Sequence, residues 1–134
     1  MKNISFNFQI HQPMRLKRYR FFEIGQDHYY YDDFHTEDRM RSAVEQSYLA
    51  ANRTIAEMIR SSNGKFCCSF SISGIALEQL EQYAPEVIDS FKELAATNCV
   101  EFLAQPYAHS LSAVYDSSEF ERQVKMHSDK IRDL

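Results

Sequence analysis

From Ile4 onward apolar and polar residues alternate: Ile4, Phe6, Phe8 and Ile10 against Ser5, Asn7, Gln9 and His11. A period of two belongs to a half-buried strand. The run ISFNFQIHQP, Ile4 to Pro13, therefore reads as a strand with one face built for burial and a polar tip of His11 and Gln12. The same period returns in FCCSFSI, where Phe66, Cys68, Phe70 and Ile72 alternate with small residues, Ser69 and Ser71 among them. It returns again in Cys99 to Ala104, with Val100 and Phe102 on one side and Glu101 and Leu103 on the other. A carboxylate inside an apolar strand is costly to bury unpaired. Glu101 thus belongs either at a sheet edge or in a polar cavity with a partner.

Between these strands the spacing of apolar residues changes to three and four. Met40, Val44, Tyr48, Ala51, Ile55 and Met58/Ile59 form one stripe, which predicts a helix over about Glu37 to Arg60. Thr36 is its expected N-cap, and Asn63-Gly64 supplies a left-handed stop. ALEQLEQY predicts a short helix or helical turn. Pro85 opens another through Val87, Ile88, Phe91, Leu94 and Ala95. Ser118 to Glu121 reads as a capping box for a last helix, with Phe120, Val124, His127 and Ile131 on one face. His127 is expected to be packed or half-exposed there rather than to act as a ligand.

Strands alternating with helices imply an α/β fold with parallel pairing. The segment Met14 to His35 fits neither period: its first half is basic and its second aromatic and acidic. Such a long excursion in a compact domain is functional or disordered, and its Tyr and Phe density argues against disorder. A self-packed Ω-like excursion and a wall of a binding cleft both remain open for it.

Composition narrows the function classes. At 134 residues, 44% hydrophobic and 25% charged, with three Gly and three Pro, the chain is of globular type and of single-domain size. A net charge of −4 does not favour nucleic acid. No run approaches the length of a membrane span and no signal-peptide pattern opens the chain, so a soluble, cytoplasmic protein is expected. Cys67, Cys68 and Cys99 show no CxxC or Cys/His ligand spacing. They are expected to be reduced, buried core thiols, the first two pointing to opposite faces of a strand.

On a parallel barrel the strand carboxyl ends converge. That would gather His11 and Gln12, Ser71 and Ser73, and Gln105, Tyr107 and His109, with Glu101 lower down. With one histidine per strand end and no HxH or HxxxH pair, a metal is not expected. Ser73 sits in SISG rather than a GxSxG elbow, and there is no Gly-rich phosphate loop. What remains is a polar, aromatic-rimmed surface suited to a neutral polyhydroxyl ligand. For a sugar, paired carboxylates are the expected machinery. Glu101 is one candidate, and Asp32 or Asp33 either supplies another or is a solvated loop charge.

Four blocks in order, FNFQIHQP with RLKRYRFF, SISGIALEQLEQYAPEVIDSF, VEFLAQPYAHSL and EFERQVKMH, resemble glycoside hydrolase family 57, in particular its α-amylase-type members. The resemblance runs over essentially the whole chain. It implies an incomplete seven-stranded (β/α) barrel, of which these residues would be the first three βα units, residues 1–134 being an apparently truncated amino-terminal part of one catalytic domain. It further implies a retaining hydrolase or glucan transferase acting on α-glucans, with no cofactor. His11, Gln12, Glu101, Tyr107 and His109 would contact substrate. The glutamate nucleophile and the aspartate acid/base would lie in later blocks beyond Leu134, so the remainder of the barrel is the expected partner and the chain alone is expected to be inactive. Two rivals stand beside this reading. One is a non-catalytic carbohydrate-binding or regulatory remnant. The other is a metal-dependent polysaccharide deacetylase, which would need an Asp and two clustered His that the chain lacks.

Overall fold

The structure, a computed structural model, describes residues 4–134. Three strands, β1 (Asn7–Ile10), β2 (Cys68–Ile72) and β3 (Val100–Phe102), form one parallel sheet in the order β1-β2-β3. Among the described residues six α-helices join and follow them: α1 (Asp33–Ala43), α2 (Leu49–Ser61), α3 (Gly74–Tyr83), α4 (Pro85–Ala95), α5 (Ser112–Tyr115) and α6 (Ser117–Asp133). The expected α/β order with parallel pairing is thus the observed one. Each strand is shorter than its alternating run: the runs of β1 and β3 continue into loop backbone at both ends, that of β2 at its amino end only.

Register divides the sheet by chemistry. Asn7 pairs with Ser69, and Ser69 with Glu101; Gln9 pairs with Ser71. These residues share one polar face, on which the Asn7 carboxamide oxygen accepts from the Ser69 and Ser71 hydroxyls at 3.1 and 3.3 Å. The other face carries Phe8, Ile10, Cys68, Phe70, Ile72, Val100 and Phe102. Its centre is buried: the Phe70 ring meets Phe91 of α4 edge-on at 5.3 Å and lies against Phe102 at 5.9 Å. Leu77, Leu80, Val87 and Leu94 from α3 and α4 complete the core, together with Met40, Ile55 and Ile59 from α1 and α2. Burial of apolar surface of this kind is the main favourable term in folding.

The apolar side of β1 departs from expectation. Ile4, Phe6 and Phe8 are exposed and Ile10 alone of the alternating set is buried. β1 is an edge strand, so the helices cover only its inner end.

The helix expected over Glu37 to Arg60 begins earlier and is not continuous. Asp32 is the N-cap of α1, its carboxylate accepting from the His35 backbone N–H at 3.0 Å. Thr36 lies buried within the first turn instead, donating to the Asp32 carbonyl at 2.7 Å and accepting from the Arg15 N–H at 3.0 Å. A wider π turn at Val44–Tyr48 separates α1 from α2. Residues Asn63 and Gly64 stop the chain after α2 with φ of 52° and 74°. At the other end Asp116, not Ser118, caps α6, accepting from the Ser118 and Glu119 N–H groups. An acceptor two residues upstream wins because its carboxylate reaches both orphan donors of the first turn.

The long segment after Pro13 folds back on itself. Leu16 bridges Tyr31 in antiparallel fashion, and the Lys17 N–H donates to the Tyr30 carbonyl at 3.0 Å. Tyr19 and Tyr30 pack at 5.2 Å, whereas Phe21 and Phe22 at the tip are exposed. Among the described residues no helix is long and apolar enough to cross a membrane.

Candidate functional site

The carboxyl ends of the strands carry one polar cluster, and its geometry follows from the register. Ile10 is the last paired residue of β1, and its carbonyl accepts from the Ser73 N–H at 3.0 Å. That bond holds the residue after β1, His11, beside the residue after β2, Ser73. The His11 Nδ1 and Ser73 Oγ are 2.8 Å apart. Ser73 is also the N-cap of α3, its hydroxyl oxygen accepting from the Ala76 N–H at 3.2 Å. A fully buried hydroxyl thus serves two elements at once.

His109 completes the cluster from the loop after β3. Its backbone has φ 53°, a left-handed conformation uncommon for a residue with a side chain, in a turn closed by its N–H donating to the Pro106 carbonyl at 2.9 Å. Strain of this sort collects at functional sites. The turn brings the His109 ring to 4.6 Å from that of His11, tilted by 30°. The Gln9 amide nitrogen lies 3.3 Å from both His109 ring nitrogens. Burial first, and the neighbouring His109 second, lower the His11 pKa from its ordinary 6.5. A neutral imidazole can accept the Ser73 proton at Nδ1, which leaves Nε2–H as the ring's donor. Such a group suits hydrogen bonding to sugar hydroxyls, which both donate and accept.

The other expected residues take different places. Gln12 lies next to His11, but its amide donates to the Tyr48 hydroxyl at 3.1 Å, and its carbonyl accepts from Gln79 at 2.7 Å. It ties the strand tip to the π turn and to α3. The Tyr107 hydroxyl donates to the Glu78 carboxylate. Burial and then that bond push its pKa well up. The Tyr107 ring rests on Gly74: a Cβ added there would lie 2.3 Å from it. Only glycine permits this approach.

Glu101 shares the polar sheet face with Ser69 but sits lower, exposed on β3 and flanking a depression with Ser5, Cys67 and Cys99. Of its two expected settings the sheet edge is the one seen. Asp32 is occupied as a helix cap and Asp33 accepts from the Tyr29 hydroxyl at 2.6 Å. Both aspartates have structural work.

Two participants, Gln9 and Gln123, stand outside the set that the sequence gathers at the strand ends, whereas Gln105 belongs to it. Gln9 shares parity with His11 on the polar side of β1, so the alternation itself could have found it. Gln105 is buried with its amide nitrogen unpaired among the described residues. Gln123 of α6 is buried and accepts from the Ala108 N–H at 3.2 Å and the Ser110 hydroxyl at 3.0 Å, bracing the His109 turn from below. No signal short of the fold marks Gln123. His127 is fully buried, 2.6 Å from the Ile72 carbonyl at the end of β2, as a packed histidine. The cysteines differ from expectation: only Cys68 is buried, while Cys67 is exposed and Cys99 is half-buried against the margin of the core. Among the described residues no group of His, Cys, Asp and Glu could hold a metal ion.

Comparisons with known proteins agree with this architecture. The model of glycosyl hydrolase family 57 matches residues 5–134. A protein of Methanocaldococcus jannaschii described as "Putative alpha-amylase" is 31% identical over 137 residues, which is 98% of this chain and 28% of that protein. The crystal structure of a 4-alpha-glucanotransferase from Thermococcus litoralis superposes with a TM-score of 0.67 at 20% identity, over 97% of this chain and 17% of that one. The chain thus spans less than a third of the length of either.

Proposed function

The chain belongs to glycosyl hydrolase family 57, and from that premise we propose that it forms the amino-terminal part of a catalytic (β/α) barrel that hydrolyses or transfers α-glucan chains with retention. The remainder of that barrel is its partner, an α-glucan its substrate. The observation that carries the reading is the cluster of His11, Ser73, His109 and Gln9 at the carboxyl ends of parallel strands, the end at which such barrels place their sites. The names of the amylase and glucanotransferase relatives support the substrate class.

In this reading His11 and His109 form the floor on which a glucose unit rests. Neutral imidazole and amide groups bind hydroxyls without the cost of desolvating a charge. Gln12 and Tyr107 line the same cleft, their polar ends anchored to Tyr48 and Glu78 so that they are held in place before sugar arrives. Glu101 contributes a carboxylate from deeper on the polar face. Retention requires two carboxyl groups about 5–5.5 Å apart. We assign that pair to other segments of the enzyme, and to this chain the holding of substrate.

Incubating the enzyme that carries this segment with maltoheptaose and resolving the products tests the proposal. Shorter maltooligosaccharides alone indicate hydrolysis; longer ones as well indicate transfer. Saturable binding without any turnover would favour a non-catalytic carbohydrate-binding protein. Cleavage of β-linked glucans in preference to α-linked ones would overturn the substrate class.

A further inference from the structure

The sheet end opposite the histidine cluster holds two thiols in a pairing that the sugar site does not use. Cys68 pairs with Val100 in the parallel register, and the Cys68 N–H donates to the Cys99 carbonyl at 3.0 Å. The residues one step earlier, Cys67 and Cys99, are therefore neighbours across two adjacent strands on the same side. Neighbouring strands run about 4.8 Å apart, inside the Cα separation of about 4.4–6.8 Å that a disulfide spans. Both sulfurs converge on one acceptor, the Gly64 carbonyl oxygen, at 3.8 Å from Cys67 and 3.6 Å from Cys99. The left-handed Asn63-Gly64 turn after α2 aims that carbonyl at them. Cys68 points to the buried face and is out of reach.

We propose that Cys67 and Cys99 are a redox pair that closes to a reversible disulfide, stapling the amino ends of β2 and β3. The oxidant is a low-molecular-weight disulfide. The exposed Cys67 thiolate attacks one of its sulfurs, forming a mixed disulfide and releasing one thiolate. Cys99 then attacks the Cys67 sulfur, the protein disulfide forms, and the second small thiolate leaves. The two cysteine protons end on the two released thiols, so two protein thiols are oxidised while one small disulfide is reduced to two thiols. Burial and the adjacent Cys67 thiol raise the Cys99 pKa. The second displacement therefore quickens as pH rises. The staple encloses β2, α3 and α4, and by constraining the unfolded chain it stabilises the fold.

The test is oxidation of the protein with glutathione disulfide, alkylation of remaining thiols, intact mass and peptide mapping. The expected product is lighter by about 2 Da with one bridge, residue 67 to residue 99, and Cys68 alkylated only after unfolding. Its melting temperature rises by about 5–10 °C and returns on reduction. Cys67→Ser and Cys99→Ser each abolish the rise, and Cys68→Ala keeps it. Stable glutathione adducts on Cys67 and Cys99 without a bridge would overturn the proposal, as would a bridge through Cys68 or a bridge that leaves the melting temperature unchanged.

Discussion

The imidazole of His11 lies against that of His109, their centroids 4.6 Å apart, although β2 separates the two strands from which they come. Ser73, at the end of that middle strand, holds His11 from below. The pair spans the sheet at its carboxyl end. It can do so because the chain after β3 turns through a left-handed residue instead of continuing outward.

This contact has a pH signature. His11 has a folded-state pKa below 6.5, lowered by burial and by His109. Between the folded and unfolded values the unfolded chain binds more protons, so stability rises with pH there. The His11 contribution is fully present above pH 6.5 and is lost as pH falls through that value toward the folded pKa. An imidazole NMR titration should place the His11 midpoint below 6.5. The fall in melting temperature between neutral and mildly acidic pH should be smaller in His11→Gln. A midpoint above the ordinary value would contradict the packing described.

Gly74 and Tyr107 should couple. A methyl group at Gly74 meets the Tyr107 ring at 2.3 Å, so Gly74→Ala should cost about 1–3 kcal/mol, as overpacking does. In the Tyr107→Ala background the same change should cost much less, a non-additivity that denaturant unfolding of the four proteins measures. Equal costs in both backgrounds would mean that the ring does not lie there.

His127 should matter for folding alone. It is fully buried and partnered with the Ile72 carbonyl. His127→Ala removes that bond and leaves a cavity, which should cost about 2–4 kcal/mol. Urea unfolding checks the loss. Glucan affinity in the enzyme, measured below the melting transition, should hardly change.

Glu101 should show the reverse. It is exposed on an edge strand, and Glu101→Gln should shift stability by no more than about 0.5 kcal/mol. Turnover of α-glucan by the enzyme should nonetheless fall at least about tenfold, equivalent to about 1.4 kcal/mol of barrier. A variant that loses stability and activity in parallel would make Glu101 structural.

Much of this fold was legible because period and punctuation agreed. Phe66 to Ile72 and Pro85 to Ala95 alternate or repeat cleanly, and Asn63-Gly64 stops a helix where a left-handed turn is needed. The family resemblance of the HQP and VEFLAQPYAHS blocks is matched by the family assignment. What stayed hidden depends on distance in space. Asp32 takes the cap, while Thr36 sits inside the first turn and its hydroxyl is engaged by the backbone of Arg15, 21 residues earlier. The exposure of Cys67 and Phe8 depends on which sheet face and which edge the helices cover. The histidine cluster was half legible: strand order brought His11 and His109 to one end, but their contact needs the turn at Pro106 to His109.

Whether the His11–His109 pair holds an α-glucan is tested most directly by kcat/KM of the enzyme carrying this segment. With maltoheptaose as substrate, His11→Ala should lower kcat/KM at least about a hundredfold, equivalent to about 2.7 kcal/mol, while far-UV circular dichroism and the melting temperature stay close to the parent's. Unchanged kcat/KM in a folded His11→Ala enzyme would contradict that role.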